Sequence, residues 1–129
     1  MDSLYKNDKY PEFVQLIFTH VIESIFSLDY KFRVINRRSE RQRVLGYINF
    51  RKKIIALDIF TEKKREPKSI NALLRVIAHE IAHIQKPPYR QLHKGRFINR
   101  QHYPAFYTQV TKNVETIKKD VYLQNYFDK

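Results

Sequence analysis

Two histidines and a glutamate in the run His79–His83 have the spacing that metal-dependent hydrolases use. The run reads His-Glu-Ile-Ala-His, and residues four apart on a helix lie about 40° apart around its axis. His79 and His83 therefore project side by side and can hold one Zn²⁺, while Glu80 lies where it can reach a water on the metal. The alternative interpretation is a helix that carries two histidines without a metal.

A catalytic zinc ion needs a third protein ligand and a fourth position left for water. The candidates are His93, His102 and Glu115. We favour His102, because it stands just before a predicted helix start, where a side chain can be directed back at the preceding helix. His93 lies in the middle of a predicted loop. Glu115 lies three turns into a helix whose start already offers His102.

The elements that position these residues follow from the spacing of apolar side chains. In chain order we predict a helix over 11–28, strands over 30–35, 44–50 and 54–60, a helix over 69–85, a basic loop over 86–101 and a helix from Pro104. The short links between the strands predict an antiparallel meander. The expected fold class is α+β, with one domain over residues 1–129 and a three-stranded, mostly antiparallel sheet.

The predicted helix over 69–85 separates its histidines from its core face. Ser69 is the predicted N-cap. The core stripe consists of Ile70, Leu73, Leu74, Ile77, Ile81 and Ile84. At about 100° per residue, His79 and His83 point roughly opposite that stripe. The pair is therefore expected to line a cleft instead of filling the core.

Composition narrows the chemistry and the partners. The chain has 129 residues and no cysteine, so any metal must be held by histidines and carboxylates. Its formal net charge of +12 favours polyanions such as DNA or another nucleic acid as partners. No signal peptide and no membrane-spanning segment are visible in the sequence, so we expect an intracellular, cytoplasmic or nucleoid-associated protein with no membrane partner.

Two motifs together resemble those of the SprT-like zinc metallopeptidases and of the related WLM and YgjP-like predicted metallohydrolases. They are His79–His83 and the later run His102–Phe106, which reads His-Tyr-Pro-Ala-Phe. The resemblance implies a zincin-like domain that hydrolyses proteins or peptides, with His79, His83 and His102 binding zinc and Glu80 as the catalytic acid and base. Some relatives act on proteins crosslinked to DNA, which agrees with the basic charge.

The chain departs from that family pattern in two respects. Many SprT-like proteins add a C-terminal zinc ribbon, which a chain without cysteine cannot form. The segment between the two motifs is longer than in the shortest relatives and strongly basic. Both departures concern the substrate more than the metal.

Several features of a peptidase stay open in the sequence. The oxyanion donor is one of Tyr89, His93, Tyr103 and Tyr107. Substrate is expected to add as an extra strand beside residues 54–60, if that strand is a sheet edge.

Two other functions compete with a peptidase. One is a nucleic-acid-binding module with a structural or vestigial metal site, and the other is a hydrolase of a non-peptide bond. The basic residues that would contact phosphates are Arg37, Arg38, Arg41, Arg43, Arg51, Lys52, Lys53, Lys63, Lys64 and Arg65.

Overall fold

The predicted α+β class is confirmed by a computed structural model, which describes residues 9–35, 46–60 and 66–126. Its helices are α1 (Lys9–Thr19), α2 (Ile70–Gln85) and α3 (Pro104–Lys118). Its strands are β1 (Lys31–Ile35), β2 (Gly46–Asn49), β3 (Ile54–Asp58), β4 (Tyr89–His93) and β5 (Arg96–Arg100). A π-helical turn over His20–Ile25 continues α1, and a short 3₁₀ turn covers Gln124–Tyr126.

The first helix is confirmed, although only its first half is a regular α-helix. After Thr19 the backbone widens into the π-helical turn, which a residue with positive φ, Ser27, follows. Apolar side chains at spacings of three and four keep one face in the core throughout. The fully buried residues of this face are Tyr10, Val14, Phe18, Val21 and Ile22.

The predicted antiparallel meander is wrong. The sheet has the order β1-β3-β2, with β1 parallel to β3 and β2 antiparallel to it. The prediction assumed that consecutive strands pair, but β3 lies between β1 and β2. The "mostly antiparallel" sheet is therefore a mixed sheet with one pair of each kind.

The sequence of β3 carries the physical reason for its central position. Every residue from Ile55 to Ile59 is buried, so this stretch is covered on both faces. Such a strand is a continuous apolar run without alternation, which is how Ile-Ile-Ala-Leu reads. Strand β1 instead alternates, with Phe32 buried between two exposed neighbours, as an edge strand with one solvated face does.

The predicted basic loop over 86–101 is also wrong, because most of it is the antiparallel hairpin β4–β5. Its two-residue turn consists of Lys94 and Gly95, and both have positive φ, of 51° and 78°. A turn of this kind matches the right-handed twist of the flanking strands, and glycine is favoured in it. Both strands are exposed at nearly every position and lack the alternation of apolar and polar residues that indicates a strand.

Helix α2 has the cap and the core face that its sequence predicts. The Ser69 side chain accepts a hydrogen bond of 3.1 Å from the backbone N–H of Ala72. The buried residues of the stripe are Ile70, Leu73, Leu74, Ile77 and Ile81, and Ile84 packs against them partly buried. These side chains share one core with α1 and β3.

Helix α3 packs on α2 through apolar side chains and one buried amide. Phe106, Val114 and Ile117 are its buried apolar residues. The side chain of Asn113, 1% exposed, donates hydrogen bonds of 3.0 Å to the Ala78 carbonyl and 2.7 Å to Oε1 of Gln85. This amide therefore links α3 to the helix turn just before His79.

The segment after α3 packs back onto the domain. Leu123 is buried, and the Tyr126 carbonyl accepts a hydrogen bond of 3.0 Å from the Asn71 amide. The Nε2 atom of His20 lies 3.1 Å from Oδ1 of Asp120 in this segment. Among the described helices, none has the length and apolarity that a bilayer crossing requires.

We expect Asn113→Ala to lower the free energy of unfolding by about 1–3 kcal/mol, because it removes buried hydrogen bonds between α2 and α3. Urea denaturation followed by circular dichroism measures this change. Asn99→Ala, an equal truncation at an exposed position, should shift the free energy by less than about 0.5 kcal/mol. Equal stabilities of the two variants would contradict the structural role of Asn113.

Candidate metal centre

Three histidines converge at one end of the contact between α2 and α3. The ring centroids of His79 and His83 are 5.0 Å apart, and that of His102 lies 5.3 Å and 4.9 Å from them. One ligand nitrogen from each ring lies within 4.8 Å of the other two. A zinc ion bound tetrahedrally at 2.0–2.1 Å needs nitrogens about 3.4 Å apart. Modest rotations of the rings therefore suffice to hold an ion.

Of the three candidates for a third ligand, His102 is the one that joins the pair. It stands two residues before α3, and Pro104 begins that helix at its first position. His93 ends β4 beside the exposed hairpin turn, and the exposed Glu115 lies 3.6 Å from Lys118. Within the described ranges, the group of potential ligands consists of His79, His83 and His102.

Phe106 forms the floor of this histidine cluster. The ring is fully buried, and its centroid lies 5.0 Å from His79, 4.4 Å from His83 and 5.1 Å from His102. Because Phe106 lies four residues after His102, one helix turn brings it beneath that ligand. The phenylalanine of the second motif thus restricts the orientation of all three imidazoles. The motif alone did not indicate this contact.

Two tyrosines flank His102 and make different contacts. The Tyr103 hydroxyl donates a 3.0 Å hydrogen bond to the Pro87 carbonyl, which ties the link between α2 and β4 to the start of α3. The Tyr107 ring stacks on His102 with centroids 6.1 Å apart and remains half-exposed. Tyr107 is therefore a half-exposed tyrosine in ring contact with one of the three histidines.

Burial changes the protonation of the site. It lowers the pKa of His83 to about 4, with a smaller contribution from the positive charge of His79 and His102. Burial, and then the charge of His102, also lower the pKa of His79 below its usual value. Neutral imidazoles have the lone pairs that a metal needs. The donor set therefore fits a zinc ion, which three histidines bind in known catalytic sites.

Glu80 lies in the gap between α2 and strand β2. Burial raises the pKa of its carboxyl to about 7, and a nearby cation would favour its ionised form. Its Oε2 atom lies 3.7 Å from where a Cβ atom on Gly46 would stand, and that Cβ would be 2.7 Å from Leu57 Cδ2. Only glycine fits here without displacement, so the bare backbone of β2 passes close to the glutamate.

Two site features escaped the sequence analysis, and both left a signal. A glycine inside a predicted strand marks a close approach of the backbone, and Gly46 was assigned to a strand without that inference. The turn Lys94–Gly95 likewise indicated the hairpin.

Of the predicted phosphate contacts, Arg51, Lys52 and Lys53 are exposed in the turn between β2 and β3. The others lie outside the described residues: Arg37, Arg38, Arg41, Arg43, Lys63, Lys64 and Arg65.

Comparisons with known proteins do not extend this assignment. No protein-family model matches the chain, and no curated protein or solved structure matches it. The resemblance to SprT-like peptidases stays a prediction based on two motifs. The convergence of the histidines is independent of that resemblance, because it is a property of the fold.

We expect His102→Ala to lower zinc affinity more than about tenfold. Replacing a residue that only hydrogen-bonds to a metal ligand already lowers affinity by roughly 10- to 100-fold, and removing a ligand itself should have at least that effect. The measurement is the zinc content after dialysis against graded concentrations of a chelator, with about one zinc per chain expected for the parent protein. His93→Ala is the matched control and should bind zinc as the parent does. Unchanged zinc binding by His102→Ala would mean that the third ligand is another residue.

Proposed function

We propose that this chain is a zinc-dependent peptidase. The observation that carries the proposal is the convergence of His79, His83 and His102, with Glu80 next to His79 on the same helix. A zinc ion held there would polarise the scissile carbonyl and lower the pKa of a water in its open position. Side chains of the protein itself would transfer the protons and stabilise the oxyanion.

The number of ligands favours catalysis over a purely structural metal. Catalytic zinc ions take three protein ligands and keep one position for water or substrate, whereas structural sites take four. His79, His83 and His102 supply three, and the exposed edge of the group is on the His102 side. This count supports a hydrolase over the alternative of a nucleic-acid-binding module with a structural zinc.

Glu80 is the proposed general base. It follows the ligand His79 directly and is half-buried, and burial brings its carboxyl to a pKa near 7. A base with a pKa close to the working pH transfers protons efficiently in both directions. Glu80 would take a proton from the attacking water and then deliver it to the leaving amine.

Strand β2 is the proposed substrate edge. The earlier choice, residues 54–60, is wrong because β3 is the central strand of the sheet. In the described part of the sheet β2 has only β3 beside it, and its Gly46 lies against Glu80. An extended peptide that added to the outer edge of β2 would run past the general base. This arrangement supports a peptide over a substrate that lacks a backbone.

Tyr107 is the residue we propose as oxyanion donor. Of the four candidates, Tyr103 donates to a backbone carbonyl, His93 is in the hairpin, and Tyr89 packs on Tyr103 at 4.9 Å. Tyr107 instead stacks on the ligand His102. A hydroxyl near the ligands can stabilise the negative charge that develops on the scissile carbonyl oxygen.

We expect Glu80→Gln to slow casein cleavage by roughly 10²–10⁴-fold, the usual contribution of a general base. Its zinc content should equal that of the parent, because the amide keeps the size of the side chain and Glu80 is not a ligand. Glu115→Gln, the same change on exposed α3, is the control and should cleave casein at the parent rate. Cleavage by Glu80→Gln at the parent rate would refute the proposed mechanism.

We expect Tyr107→Phe to lower kcat by about 10²-fold with little change in KM, because an oxyanion donor acts mainly in the transition state. Steady-state kinetics on a fluorogenic peptide measure both constants. Tyr122→Phe removes a hydroxyl from an exposed tyrosine beside His20 and should leave both unchanged. A rise in KM with kcat preserved would show that Tyr107 binds substrate without stabilising the oxyanion.

A further inference from the structure

The base of the β4–β5 hairpin adjoins the histidine cluster. Tyr89 starts β4, and its ring lies 4.9 Å from the ring of Tyr103, the residue after the ligand His102. Arg100 ends β5 directly opposite Tyr89, so both side chains stand on the same face of the hairpin. Because Arg100 is two residues before His102, their Cα atoms are at most about 7 Å apart.

The side chain of Arg100 makes one hydrogen bond to a neighbour on the hairpin. Its Nε donates a 2.8 Å hydrogen bond to Oε1 of Gln91, an exposed residue on the same face of β4. A guanidinium has five N–H donors, and within the described ranges the other four of Arg100 meet no protein acceptor. Those four N–H groups can therefore bind a carboxylate in the fork geometry while the bond to Gln91 remains.

The stretch of chain that contains Arg100 carries no acidic residue. No aspartate or glutamate occurs anywhere from Ile81 to Val114, the stretch that supplies His83, the hairpin and His102. The cations of that stretch are Lys86, Arg90, Lys94, Arg96, Arg100 and Lys112. An anionic group that approaches this side of the site therefore meets no carboxylate from the same stretch to repel it or to compete for Arg100.

We propose that Arg100 is a specificity-determining residue that binds a carboxylate of the substrate peptide, close to the scissile bond. The proposal rests on the peptidase function proposed above and adds a substrate class to it. Zinc and Glu80 act on a backbone that all peptides share. Arg100 selects acidic peptides among them, and Gln91 positions its guanidinium for that contact.

The experiment measures cleavage and binding separately. The cleavage probes are amidated fluorogenic decapeptides of alanine and leucine, with a single Glu placed at each position near the scissile bond, and each has a twin with Gln. We expect the best Glu peptide to exceed its twin about tenfold in kcat/KM, the scale of one charge-assisted hydrogen bond. Arg100→Gln should abolish that difference, so that the Glu peptide and its Gln twin are cleaved with equal kcat/KM.

Arg96→Gln is the matched control for charge. Arg96 lies on the same strand and the same face as Arg100, about 13 Å further from the site. We expect this variant to keep the preference for Glu, because a specific subsite needs the guanidinium at one place. If Arg96→Gln and Arg100→Gln reduce the preference equally, the effect is general electrostatic attraction and the proposal is overturned.

Binding of the same peptides to zinc-loaded Glu80→Gln, measured by fluorescence anisotropy, separates the two proposals. If the parent cleaves no peptide, the proposed function fails, while an Arg100-dependent preference for Glu in binding still supports the subsite. If the parent cleaves and binds Glu and Gln peptides equally at every position, the subsite alone is refuted.

Two further arms identify the source of the anion. A Gln peptide with a free C terminus is compared with its amide, to test whether Arg100 binds a terminal carboxylate instead of a side-chain carboxylate. A preference that depends on Arg100, either for Glu over Gln or for the free C terminus over the amide, supports the proposal. A single-stranded oligonucleotide tests the competing partner. If Arg100→Gln weakens oligonucleotide binding but leaves the discrimination between Glu and Gln intact, Arg100 serves nucleic acid and the proposal is wrong.

Discussion

The contact between α2 and α3 is the interaction on which the site depends. Neither helix alone holds a metal, because α2 supplies only His79 and His83 and the segment before α3 supplies only His102. Phe106 packs beneath all three rings, and Asn113 bonds to the α2 backbone at Ala78. Apolar packing sets the distance between the helices, and the buried amide fixes one register, since any slip would leave a polar group unpaired.

The sheet and the β4–β5 hairpin both adjoin the contact between α2 and α3. Strand β3 is buried on both faces and anchors the sheet, which leaves β2 at its edge, with Gly46 against Glu80. The hairpin occupies the chain between the two motifs and is tied back by the bond from Tyr103 to the Pro87 carbonyl. An extended backbone along β2 and an anionic group near the hairpin would thus meet the metal from different sides. Under the proposed function, one domain would combine a hydrolytic zinc centre with a basic rim that selects acidic peptides.

The sequence predicted which histidines converge better than it predicted the strand topology, for a physical reason. His79 and His83 are linked by local helix geometry, and Pro104 fixes the start of α3 close to His102, so short-range rules suffice. The neighbour of β3 is decided by long-range packing, which spacing alone does not encode. The hairpin was missed because residues 89–100 are mostly polar, are exposed on both faces and do not alternate, as in a loop. The contact between Phe106 and the three imidazoles could not be predicted from the sequence, because it depends on how α3 packs against α2.

The most direct test of the central claim is X-ray absorption spectroscopy of the protein loaded with one equivalent of zinc. Three imidazoles and one open position predict four nitrogen or oxygen neighbours at about 2.0–2.1 Å, three of them with the outer-shell scattering of histidine rings. A first shell with two imidazoles, or with a protein carboxylate in place of His102, would contradict the account, because its central claim is that three imidazoles share one ion and leave one position open.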